Sequence, residues 1–188
     1  MVAIVDAVAS GEIPDSEVAL VISDKPGAAG IAKANEKGVE TKVVERNGRS
    51  REEHDAEIIS ELIKREVDLV CLAGYMRLLS PSFVRAFPNR IINIHPSLLP
   101  EFAGLNVHER VLASGATVSG CTVHYVDEEL DHGAVILQKR VPVLPDDTPE
   151  ALAARILEQE HGLYVAAIRK MLATEYPEPT DKSSTTTR

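Results

Sequence analysis

Ile91-Ile92-Asn93-Ile94-His95-Pro96-Ser97-Leu98-Leu99-Pro100 reads as a short apolar strand running directly into a polar cluster. A strand covered on both faces of a parallel sheet is nearly continuous in apolar residues, as Ile91 to Ile94 is. Ligands of such a sheet bind beyond the carboxyl ends of its strands, where His95 falls. Alternate strand residues share a face, so Asn93 and His95 point the same way. An amide and an imidazole converging on one spot suit a developing oxyanion, with the imidazole as proton donor. For so short a pattern taken alone, a capped strand end with a satisfied core histidine is the commoner explanation. Pro96 and Pro100 stiffen the following loop and fit either explanation.

Upstream, Val18 to Ile22, Thr41 to Val44 and Leu69 to Leu72 are apolar runs of the same kind, and helices alternate with them. Val2 to Val8 has helical spacing, and Ala28 to Lys37 is closed by Gly38. Ser50 with Glu53 forms a capping box that opens a helix whose Ile58, Ile59, Leu62 and Ile63 share a face. Ser80-Pro81 starts a short helix. This alternation predicts an α/β fold: a Rossmann-like, mostly parallel sheet flanked by helices. Downstream, Asn106 to Gly115 is one more helix. Val118 to Val126 and Ala134 to Val143 are long strands joined by an acidic turn, which predicts an antiparallel pair in the C-terminal half. Thr148-Pro149 begins a long last helix with Leu152, Ile156, Leu163 and Val165 inward. One domain over 1–175 and a polar, disordered tail over 176–188 are expected. A doubly wound sheet ordinarily opens with a strand, whereas this chain opens inside a helix. The expectation is therefore a domain without its first strand.

The chain has 188 residues, 44% of them apolar, enough for one core. A formal charge of -9 argues against a nucleic-acid footprint. No apolar run approaches the roughly 20 residues that span a bilayer, and no export leader is evident, so a cytoplasmic protein is expected. Cys71 and Cys121 stand far apart in apolar runs and read as buried, reduced thiols, neither near a base. No histidine–carboxylate spacing resembles a zinc site. The carboxylates of Asp127, Glu128, Glu129 and Asp131 are read mostly as a solvated turn. Asp131 has more to do if the turn folds over His95, because a carboxylate beside an imidazole favours its charged form. Tyr75-Met76-Arg77-Leu78-Leu79, after the preceding strand, reads as a connecting loop with an apolar anchor. Oligomeric state is not written in any pattern, and a homodimer is compatible with the sequence.

Three segments carry a resemblance. Asn93 to Pro100, Ser119 to Gly133, and Cys71 to Leu79 look like the ordered motifs of the folate-dependent formyltransferases, and the likeness extends from Val2 to about Leu172. Within that family the chain is most similar to the branch that formylates glycinamide ribonucleotide in purine biosynthesis. The resemblance implies 10-formyltetrahydrofolate as co-substrate, glycinamide ribonucleotide as acceptor and no metal, since the folate carries the one-carbon unit. It implies Asn93, His95 and Asp131 as the catalytic group: His95 the acid, Asn93 the holder of the formyl oxygen, Asp131 the keeper of the charged imidazole. Folate would lie against Arg51, Met76, Arg77, Leu78, Leu79, Asn93, Val126, Asp127 and Glu128, largely through backbone groups of the two loops. Glu160 would contact the sugar hydroxyls. Family members carry a strand and a Gly-Ser-Asn phosphate loop before their first helix, for which this sequence has no matching positions. Ala103 also stands where a proline usually precedes Gly104. The alternatives are a formyltetrahydrofolate deformylase, whose second signature histidine is replaced here by Pro96, and a non-catalytic folate-binding module. A formyltransferase acting on tRNA fits less well, since the chain is short and acidic.

Overall fold

The computed structural model describes residues 1–173, so the tail expected over 176–188 lies outside the described residues. Ile91 and Ile92 explain the layering. Both are buried, and as neighbours on one strand they enter different cores. Ile91 packs with Ile58, Leu62, Phe83 and Phe87, and Ile92 with Ala7, Val123, Tyr164 and Ile168. Their strand, β4 (Ile91–His95), is thus covered on both faces. α3 (Arg51–Lys64) and α4 (Pro81–Ala86) cover one face, and α1 (Val2–Ala9) and α6 (Pro149–Ala173) the other.

β4 pairs in parallel with β3 (Val70–Leu72) and antiparallel with β5 (Val118–Tyr125), which pairs antiparallel with β6 (Val135–Pro142). The order of this sheet is β3-β4-β5-β6. β1 (Val21–Ser23) and β2 (Thr41–Val43), flanked by α2 (Ala29–Glu36), form a separate parallel pair. No ladder joins β1 to β3 among the described residues, although Ile22, Val70 and Leu72 pack against one apolar cluster. α5 (Val107–Ala113) closes a third apolar cluster with Cys121, Val141, Leu152 and Ile156.

The α/β class, the helices and the antiparallel pair follow the sequence expectation, and three details differ. The run from Val18 forms a ladder only from Val21, and β1, β2 and β3 are half-buried rather than buried. The reason is the break in the sheet: β1 and β3 each have one edge without a strand beside it. Cys71 of β3 is consequently half-buried, whereas Cys121 is buried. Ile63 does not share the inner face of α3. It is 59% exposed, because one residue beyond Leu62 turns the helix about 100°. The capping box at Ser50 forms in both directions, with Ser50 Oγ accepting from Glu53 N–H and Glu53 accepting from Ser50 N–H.

A tyrosine fastens α6 to the sheet. The buried Tyr164 hydroxyl lies 2.8 Å from Leu72 O and 3.0 Å from Ile92 O, one carbonyl on each of two adjacent strands. Tyr164→Phe is expected to lower unfolding free energy by about 1 kcal/mol, the usual net worth of a buried hydrogen bond. A urea melt with an unchanged m-value checks it.

Candidate active site

Four polar side chains meet at the end of β4. Antiparallel pairing sets Asn93 opposite His124 and His95 opposite Thr122. His124 Nδ1 lies 2.8 Å from Tyr125 O, so Nδ1–H donates to that carbonyl and leaves Nε2 as an acceptor. Asn93 Nδ2 lies 3.3 Å from Nε2 and supplies the donor. That bond orients the carboxamide, with one Nδ2–H spent on His124 and the other free among the described residues.

His95 is buried, with Nε2 3.1 Å from Phe102 O and Nδ1 3.3 Å from Asp131 Oδ2. Both ring nitrogens therefore face acceptors. Asp131 Oδ2 also accepts from Gly104 N–H at 2.9 Å, and Asp131 Oδ1 lies 3.7 Å from His124 Nε2. The acidic turn thus folds over the strand end and carries Asp131 into contact with His95. Asp131 has a left-handed backbone at φ 51. Gly133 lets the turn return flush against β5, since a Cβ there would lie 1.9 Å from Tyr125 O. The same carbonyl receives the His124 Nδ1–H, so the turn and His124 share one anchor.

The loop after β4 is fastened from β5 and β6. Thr122 Oγ1 donates to Ser97 O and accepts from Leu99 N–H and Gln138 Nε2–H, and Gln138 Nε2 also reaches Leu99 O. Thr122, His124 and Gly133 fall inside the Ser119 to Gly133 motif, but the sequence assigned no role to them or to Gln138, Phe102 and Gly104. The available signal was the strand alternation that puts Thr122 and His124 on one face, but not which strand they face.

A second group lines a cleft of about 440 Å³: Arg46, Arg51, Glu52, Tyr75, Arg77 and Leu78, with His54 and Asp55 at its wall. Arg51 opens α3 and lies 3.5 Å from Glu52, while Arg77 lies 3.2 Å from Asp24. Three guanidiniums thus line the cleft, with the carboxylates of Glu52 and Asp55 in its wall and Asp24 on Arg77. Burial and the nearby Asp55 charge push the Tyr75 hydroxyl up to about 12, so it stays a donor at neutral pH.

The remaining expected positions divide. Met76 is exposed, while Leu79 packs in the core beside Phe83, so only its backbone can meet a ligand. Val126 N–H is spent on Ile91 O. Asp127 accepts from Glu129 N–H, and Glu128 reaches the exposed Arg85. Glu160 is not brought into the His95 cluster. It sits on α6 facing the Met1 ammonium and Cys121, and burial raises its carboxyl above the usual range against the pull of that ammonium. Burial also pushes both thiols up to about 12, so neither is a thiolate at neutral pH. Among the described residues no group of His, Cys, Asp and Glu could hold a metal ion.

Residues 1–168 match the formyl transferase family model. Phosphoribosylglycinamide formyltransferase of Haemophilus influenzae is 43% identical over 167 residues, covering 88% of this chain and 78% of that protein. The trifunctional purine biosynthetic protein adenosine-3 of Drosophila melanogaster is 46% identical over 158 residues, and this chain spans 12% of its length. Among solved structures, phosphoribosylglycinamide formyltransferase of Brucella melitensis superposes with a TM-score of 0.87 at 46% identity, covering 93% of this chain and 90% of that one.

The His124 environment sets a pH dependence. Burial holds its imidazole below the ordinary 6.5, outweighing the Tyr125 carbonyl and Asp131, which pull it up. A depressed folded-state value means its contribution to stability is complete above about 6.5 and is lost as pH falls through the lower value. The urea midpoint of the wild-type chain should therefore drop as pH falls below about 6.5, and His124→Gln should flatten that slope.

Proposed function

This chain belongs to the formyl transferase family, and we propose that it transfers the formyl group of 10-formyltetrahydrofolate to the primary amine of glycinamide ribonucleotide, a step of purine biosynthesis in the cytosol. Support comes from the named relatives, two of which are phosphoribosylglycinamide formyltransferases matched over most of their length. The observation that carries the reading is the convergence of the Asn93 amide, the His95 imidazole and the Asp131 carboxylate at one strand end.

The chemistry follows from that cluster. The amine lone pair attacks the formyl carbon, a C–N bond forms, and the carbonyl electron pair moves onto oxygen. The free Nδ2–H of Asn93 and the Nε2–H of His95 are the donors for that oxygen. In the protein as it stands the Phe102 carbonyl occupies the Nε2–H, so the ligand takes over a bond the ring already makes. Donors aimed at that oxygen act where charge develops, the His95 donor once it leaves the Phe102 carbonyl. Collapse reforms the carbonyl and breaks the bond to folate N10. That nitrogen takes up a proton as the amine gives one up, and His95 carries the proton between them. Asp131 offsets the imidazolium charge and fixes its ring. The Arg51, Arg77 and Leu78 cleft holds the folate with its anionic end on the guanidiniums, and Glu160 meets the sugar of the acceptor.

Release of tetrahydrofolate followed with and without glycinamide ribonucleotide tests the proposal. Release that requires the amine, with formylated product, is the expected outcome. Release that ignores the amine would mean hydrolysis, and folate binding without release would mean a binding module. His95→Ala and Asn93→Ala should each lower kcat by about 10²- to 10⁴-fold. Arg51→Ala and Arg77→Ala should raise the folate KM with less effect on kcat, as loss of uniform binding does.

A further inference from the structure

Asp55 is a buried carboxylate that the proposed chemistry does not use. It lies on α3 with 1% of its surface exposed. Its Oδ2 accepts from the Ser80 N–H at 2.6 Å, across 25 residues of chain. Among the described residues its Oδ1 has no hydrogen-bond partner, and it lies 3.5 Å from His54 Nδ1. His54 in turn donates from Nε2 to Val44 O at 2.8 Å, where β2 ends. A buried carboxylate with one oxygen unbonded is costly, and an apolar residue would fill the site more cheaply.

What Asp55 holds gives it a role. Ser80 is fully buried and caps α4, accepting from Phe83 N–H. The preceding segment, 73–79, carries Tyr75, Arg77 and Leu78 into the cleft. Among the described residues that segment makes no backbone–backbone hydrogen bond. Its fastenings are the buried Leu79 side chain, Tyr75 packed against the same apolar cluster, the Arg77–Asp24 ion pair, and, at its end, the Asp55–Ser80 bond. Arg51, which also lines the cleft, is four residues from Asp55 on the same helix. A charge-assisted bond from a rigid helix to one amide fixes distance and direction together.

We infer that Asp55 is a positioning residue, whose carboxylate clasps the start of α4 and so sets the 73–79 loop relative to Arg51 in the cleft. The inference rests on the proposed folate reading of that cleft. It predicts an effect on one substrate only, because the clasp joins α3 to the end of the loop that lines the cleft and touches neither Asn93 nor His95.

The test is steady-state kinetics with each substrate varied in turn, together with amide exchange of the 73–80 segment. Asp55→Ala should raise the KM for 10-formyltetrahydrofolate by about tenfold, with the KM for glycinamide ribonucleotide and kcat changing by less than about threefold. Exchange in 73–80 should quicken. Asp55→Asn keeps an oxygen for Ser80 N–H and turns its amide toward His54 Nδ1, so it should return the folate KM to within about threefold of wild type. Equal rises in both KM values, or Asp55→Asn impaired as severely as Asp55→Ala, would overturn the inference. Should Asp55→Ala not fold, the wild-type chain still decides: a Ser80 amide exchanging as fast as that of Gly74 removes the clasp. Absence of any wild-type turnover would instead count against the functional reading and leave the exchange result standing.

Discussion

Asp131 is the constraint on which the site depends. Its side chain is almost wholly buried, and a carboxylate so placed is tolerable only with donors around it. Around it stand two donors, the Gly104 amide and the His95 imidazole, and, more distantly, His124 Nε2, which itself accepts from Asn93. They come from three separate stretches of chain. The left-handed backbone at Asp131, the glycine at 133 and the positive φ of Gly104 are the backbone conditions for bringing those stretches within reach.

β4 is the strand that makes this possible, because it belongs to two kinds of sheet at once. Toward β3 it pairs in parallel, so the loops after β3 and β4 leave from the same edge. Toward β5 it pairs antiparallel, so the turn after β5 does not leave from that edge by crossover but folds back over it. The parallel side contributes the guanidinium-lined cleft and the antiparallel side contributes the carboxylate. A purely parallel sheet would have placed His124 and Asp131 elsewhere.

Both loops are held by polar bonds from rigid elements rather than by their own backbone pairing. Thr122 and Gln138 fasten the segment after β4, and Asp55 fastens the segment after β3. Groups that must be placed within a fraction of an ångström require this kind of support from strands and helices.

The sequence by itself determined the elements and their class. Apolar runs, the Ser50 capping box, the glycine stops and the long alternating pair after residue 118 are local patterns, and local patterns report local backbone states. It also brought Asn93 and His95 to one face, because alternation on a single strand requires no partner. What it misjudged, such as Ile63 and the buried state of Cys71, depends on which neighbours an element acquires. Tertiary structure alone decided that His124 orients Asn93, that Gly104 and Phe102 meet Asp131 and His95, that Glu160 stands apart, and that Asp55 reaches Ser80. The hydrogen bonds from Asn93 to His124, from Gly104 to Asp131 and from Ser80 to Asp55 span 31, 27 and 25 residues. Such contacts follow from strand register and the return path of a turn, and those are fixed by packing the whole domain rather than by any window of sequence.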